Sequence, residues 1–239
     1  MRPPASILVV QHDDRLPPGL LGEWAPDRDV ALHVVRADRG ELAAVDPSRH
    51  DAAVVLGADA SAADLHVPWV RQELAWLAAA APRLPLLGIA YGSQALAVAL
   101  GGRTRRAATP WITWGVGVTG ADAPIPAGAW LCWQHELVVP PPGATIRARG
   151  LRGTLAYTHG RHLGVQFHPE ILPWMVDWWL HPEHGRPGAP GPRAGVLRAL
   201  TRERAAASAT AGRALFDLLL ARAGRGPAPR PVTPKEPHV

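Results

Sequence analysis

The chain has 239 residues, 47% of them apolar, and a formal charge of +5. This suits one α/β domain with or without a tail and excludes global disorder, since the apolar share is ample for a core. No run approaches the ~20 apolar residues of a membrane span, and the basic excess, arginine except for Lys235, interleaves with no aromatic residues and forms no nucleic-acid motif.

The elements alternate at first. Ser6–Gln11 is a short apolar, β-branched run bounded by polar residues, so a buried strand. A short helix follows in "PPGLLGEWA". Val30–Ala37 and Asp51–Asp59 are further strands, the latter ending in a small-residue turn. In "VPWVRQELAWLAAAAP", Val67, Val70, Leu74 and Leu77 fall at helical spacing, with Pro68 in the first turn and Pro82 past the end. "LPLLGI" is a fourth strand and "GSQALAVALGG" an almost wholly apolar helix closed by Gly101 and Gly102. Such alternation implies a parallel sheet covered on both faces, with ligands bound beyond the carboxyl ends of its strands.

From "WGVGVTG" onward the pattern changes to short strands joined by Gly and Pro turns, through "AWLCWQHELVVPPPGATIRARG", "LAYTHG" and "HLGVQFHPE". A mixed or antiparallel extension of the sheet is expected. "ILPWMVDWWL" reads as helix, "HPEHGRPGAPGPRAG" as a loop, and residues 192–223 as a helical extension broken near Ser208. The tail 224–239 has too little apolar content to fold. One domain over 1–223, with its core over 7–180, is the expected organisation. The apolar run near Met1 is too short for a signal peptide. The single Cys132 can form no intrachain disulfide, so a cytoplasmic setting is expected.

The chemistry concentrates in two places. In Gly88-Ile89-Ala90-Tyr91-Gly92-Ser93-Gln94 a strand turns sharply into a helix, which lifts the tip residue into the open and aims the following N–H groups at whatever binds there. Far along the chain, "GVQFHPE" places His168 two residues before Glu170. On a strand end both side chains point to one side, and a carboxylate beside an imidazole fixes its tautomer and raises its basicity. A nucleophile on the turn would complete an acyl-transfer triad. The tip residue is Ala90, which carries no nucleophile. The competing readings are plain: a solvated strand end for "QFHPE" and packing or capping for Tyr91 and Gln94. Cys132 reads as a packing cysteine, and Ser93 lies a helical turn away from the tip. His181 and His184 lie in a surface turn, short of the three or four ligands zinc needs. No metal or cofactor is expected.

These motifs resemble the class I glutamine amidotransferases, especially the free-standing type related to the glutaminase half of GMP synthase. That family's reactive turn reads Gly-Ile-Cys-x-Gly-x-Gln before an apolar helix and Gly-Gly. Its second signature is Gln-Phe-His-Pro-Glu, present in full at Gln166 to Glu170, and its strand ending in Gly-Gly is matched in part by "VVLGADAS". "WQHELVVPPPGA" matches a further Trp–His element. The likeness runs from about Ile7 to Leu180. It implies a flavodoxin-like fold and the hydrolysis of glutamine, whose ammonia passes to a partner synthase subunit. Carried over residue by residue, it makes His168 the general base and Glu170 its orienter, with the N–H groups of Ala58 and Tyr91 as oxyanion hole. Gly57, Gln94, Trp133 and His135 would line the substrate pocket, with Trp174 as a further wall.

Two positions depart from the pattern. Ala90 stands where the family has cysteine, which removes the thioester chemistry. Ala58 stands for the second Gly of the strand-end pair, where alanine would resist a positive φ. Three readings stay open: a pseudoenzyme that binds glutamine or a similar small amide, an active amidotransferase whose cysteine was replaced by design, and a non-enzymatic interaction module. The ten tryptophans otherwise read as core and rim packing.

Overall fold

A computed structural model describes residues 3–117, 125–183, 185–186 and 191–225. Its centre is a seven-stranded sheet in the order β2-β1-β3-β4-β9-β8-β7. The strands are β1 (Ala5–Gln11), β2 (Val30–Arg36), β3 (Ala52–Val55), β4 (Leu86–Ile89), β7 (Thr145–Gly150), β8 (Gly153–His159) and β9 (His162–Val165). Strands β2, β1, β3, β4 and β9 run parallel, and β8 and β7 continue the sheet antiparallel. The remaining strands, β5 (Arg103–Gly117) and β6 (Ala129–Val139), pair only with each other, as an antiparallel ribbon. The predicted flavodoxin-like α/β architecture with antiparallel strands in the second half is therefore present, with part of that half detached as a ribbon.

The parallel strands are apolar on both faces because both are covered. Ile7, Val9, Val54, Leu87 and Ile89 face one core with helices α1 (Leu20–Trp24) and α5 (Ala194–Arg222). Leu8, Val10, Val55 and Leu86 face the other with α2 (Pro68–Ala80) and α3 (Tyr91–Ala99). A third apolar cluster, containing Leu131, Trp133, Met175 and Trp179, joins the ribbon to α4 (Pro173–Trp179).

Three expectations need correction or limits. Helix α5 runs unbroken for 29 residues through Ser208, which is buried. The chain stays anchored past the predicted start of the tail, since Arg225 donates to Asp51 Oδ1 at 2.9 Å and to the Pro3 carbonyl at 3.0 Å. The rest of the tail lies outside the described residues. Among those residues no helix is long and apolar enough to cross a membrane.

Candidate functional site

The carboxyl ends of the parallel strands meet at one edge of the sheet, and the motif residues sit there. Ala90 is the residue between β4 and α3, with φ 51 and ψ −111. Besides Ala90, Asp29 is the sole non-glycine with positive φ among the described residues. The turn is braced from several sides. The Ala90 N–H donates to the Val165 carbonyl at 2.8 Å. Its own carbonyl accepts from Ser93 Oγ at 2.7 Å and Gln166 Nε2 at 3.2 Å. Gly92 is needed because a Cβ there would lie 2.1 Å from the Val55 carbonyl oxygen. The first residue of the "QFHPE" motif is thus a structural brace, and the Ser93 hydroxyl is spent on the turn.

His168 and Glu170 follow β9. His168 Nδ1 lies 2.7 Å from Glu170 Oε1, with both side chains buried. Nδ1–H donates to the carboxylate, which leaves the Nε2 lone pair as the ring's acceptor. Nε2 is buried and has no hydrogen-bond partner among the described residues. Residue 90 and the imidazole are neighbours. A Cβ built on Gly57 would lie 3.8 Å from the Ala90 Cβ and 3.5 Å from His168 Cε1.

Beside this pair opens a cleft of about 340 Å³, with Ala58, Ala90, Tyr91, Gln94, Trp133 and His135 among its walls. Sequence reasoning therefore brings together six of the nine site residues as direct walls. Gly57 lies between the tip and the imidazole, but neither it nor the His168–Glu170 pair lines the cleft. Trp174 is off it as well, 48% exposed on α4 beside Trp178. Gln94 is held by its own bond, Nε2 to the Glu136 carbonyl at 3.2 Å. Cys132 is fully buried in the core, where desolvation pushes its thiol far above the ordinary range. His181 sits in an exposed turn, and His184 is outside the described residues.

The concern over Ala58 does not materialise, because its φ is not positive. Its peptide is oriented from outside. His12 Nδ1 lies 3.1 Å from the Gly57 carbonyl, and its Nε2 lies 2.9 Å from Glu73 Oε1. In a planar trans peptide the C=O and the next N–H point oppositely, so the Ala58 N–H is directed away from His12. The Tyr91 hydroxyl donates to the other Glu73 oxygen at 2.9 Å. Burial first, and then Glu73, holds the Tyr91 phenol in its neutral form, its pKa raised well above normal. One fully buried carboxylate on α2 thus ties together the chain segments carrying the Ala58 and Tyr91 amides.

His12, Glu73, Asp59 and Arg186 were not singled out from the sequence. Glu73 had a readable signal: it lies on the apolar face of its helix, three residues after Val70 and four before Leu77. Arg186 had none, being one of two arginines in a Pro/Gly loop.

Known proteins are similar to this chain in sequence and fold. The family described as glutamine amidotransferase class-I matches residues 26–174. A glutamine-hydrolysing GMP synthase from Thermus thermophilus is 39% identical over 97 residues, which is 37% of this chain and 19% of that protein. One from Thermomicrobium roseum is 39% identical over 99 residues, 37% and 18% of the two chains. The aligned segment therefore spans about a fifth of those relatives. Among solved structures, a glutamine amidotransferase from Methylobacillus flagellatus superposes with a TM-score of 0.77 at 23% identity, covering 93% of this chain and 96% of that one. With the matched family spanning 149 residues, from the strand beside β1 to the helix after the His–Glu turn, the chain belongs to the class I glutamine amidotransferases.

Proposed function

We propose that the protein binds glutamine or a related small amide in this cleft without hydrolysing it. The carrying observation is the pairing of an intact His168–Glu170 dyad with a methyl group at the tip of the turn. His168 holds the position of a general base and Glu170 that of its orienter. The amides of Ala58 and Tyr91 form the oxyanion hole, and Gly57, Gln94, Trp133 and His135 border the ligand. With no sulfur at residue 90, no thioester forms. A water-based substitute is disfavoured because the imidazole is fully buried and is not a wall of the cleft. A bound amide meets the methyl of Ala90 rather than the ring.

The likeness to GMP synthases supports a cytoplasmic synthase subunit as partner, with the protein acting as a binding pseudoenzyme on residues 1–223. Calorimetry with glutamine, run beside an ammonia assay, tests the reading. Saturable heat without ammonia release is expected. Loss of a triad nucleophile costs about 10⁶-fold in turnover, so sustained release would overturn the reading, as would the absence of binding.

A further inference from the structure

Helix α5 lies against the β5–β6 ribbon. Residues three and four apart share one face of a helix, and Leu197, Thr201, Ser208 and Ala211 are buried on that face, with Arg204 half-buried between them. Thr201 is fully used there. Its Oγ1 accepts from Trp114 Nε1 at 2.8 Å and donates to the Leu197 carbonyl at 2.7 Å. One turn on, Arg204 Nη1, Ser208 Oγ and the ribbon's Trp130 Nε1 are buried without a partner among the described residues.

The three border a single seam. A Cβ built on Gly115 would lie 3.1 Å from Arg204 Nη1, and the next residue, Val116, pairs with Trp130 across the ribbon. A Cβ built on Gly128 would lie 3.2 Å from Ala211 Cβ and 3.6 Å from Trp130 Cε2, the ring carbon bonded to Nε1. Neighbouring side chains show what is unusual. Thr210 returns its hydroxyl to the Ala206 carbonyl at 3.0 Å, as Thr201 does to Leu197, whereas Ser208 makes no such bond. Arg198 and Arg202 both reach Asp177, whereas Arg204 Nη1 has no such acceptor.

Buried donors are nearly always paired, and a guanidinium keeps its charge when buried. A metal ion does not fit, because guanidinium and indole N–H groups only donate. One water would accept two bonds and leave the charge uncompensated. An oxyanion supplies several acceptor oxygens and the missing charge, and bonds it accepts from a guanidinium are about twice as strong as neutral ones. The half-buried Arg204 gives a small ion a way in from solvent.

We propose that Arg204, Ser208 and Trp130 form an oxyanion site between α5 and the ribbon, fitted to a phosphate group. None of the three lines the cleft beside Ala90. The site backs the motif turn instead. Trp130 stacks on Phe167 with ring centres 4.5 Å apart, and the carbonyl of the adjoining Leu131 accepts the His168 N–H at 2.9 Å. An occupant therefore braces the segment that carries His168.

The test is calorimetry on the full chain with inorganic phosphate, at an ionic strength held constant with chloride. Saturable one-site binding is expected. Arg204→Gln should weaken it at least about tenfold, and Ser208→Ala by a smaller factor. A nucleoside monophosphate forms the second arm. Its binding would identify a phosphate ester as the ligand and its exclusion the free ion, and each result supports the site. Hydrogen exchange at the His168 amide should slow with phosphate in the wild type and not in Arg204→Gln. No saturable phosphate binding by the wild type would overturn the site, even if the variants fail to fold. Equal binding by Arg204→Gln would place the ion elsewhere and overturn it too.

Discussion

Ala90 occupies backbone space that costs a non-glycine residue about 1–3 kcal/mol. The bonds from Ser93 and Gln166 to its carbonyl hold it there. Replacing Ala90 by Gly should therefore stabilise the protein by about 1 kcal/mol in denaturant unfolding, against the usual cost of adding a glycine. Destabilisation of that size would mean the turn stores no strain. The His12–Glu73–Tyr91 network is the second residue-scale feature. Glu73→Ala leaves His12 Nε2 and the Tyr91 hydroxyl unpaired in the interior, with an expected loss of about 3–5 kcal/mol. Glu73→Gln keeps one acceptor and should lose less. If both variants unfold at the wild-type denaturant concentration, the network contributes nothing. The motif residues at this scale were legible because turn and strand-end chemistry is local. Arg186 was not, because its contacts with Asp59 and Trp133 join segments far apart in sequence.

Among the elements, α5 is the most instructive. A break is expected near Ser208 from the sequence, yet the helix continues, and Gly212 lets it approach the turn after β9. At Gly212 a Cβ would lie 2.4 Å from the Pro169 carbonyl oxygen, in the middle of the "QFHPE" turn. Helix propensity alone favours alanine over glycine by about 1 kcal/mol. Gly212→Ala should nevertheless destabilise, by roughly 1–3 kcal/mol, because the backbone must move. A gain in thermal stability would show that α5 does not press on the turn. The parallel β1–β4 units were readable because each strand is followed by its own helical or turn signal. The β5–β6 ribbon was not, since strand patterning shows which residues alternate and says nothing about which strand is the neighbour.

For the molecule as a whole, acid sensitivity has an identifiable source in the central sheet. His162 begins β9, and its Nδ1 accepts the Leu86 N–H at 3.3 Å across to β4. Burial, reinforced by Arg161, His159 and Arg222, lowers its pKa from 6.5 to about 4. The unfolded chain binds this proton more readily, so the stability tied to neutral His162 is complete above about 6.5 and is lost as pH falls toward about 4. His162→Gln, which retains an acceptor, should flatten the unfolding free energy across that window. An unchanged pH profile would place the sensitivity elsewhere. The same sheet positions residue 90 beside the His168–Glu170 pair, and the central claim is that this centre lacks only a sulfur atom. Ala90→Cys restores one, and the native thiol at Cys132 is fully buried. Mass spectrometry after exposure to a chloroketone analogue of glutamine reads the outcome directly. An adduct at residue 90 is expected, suppressed by glutamine and by His168→Ala. A folded variant that stays unlabelled, or is labelled equally with glutamine present, would contradict the claim.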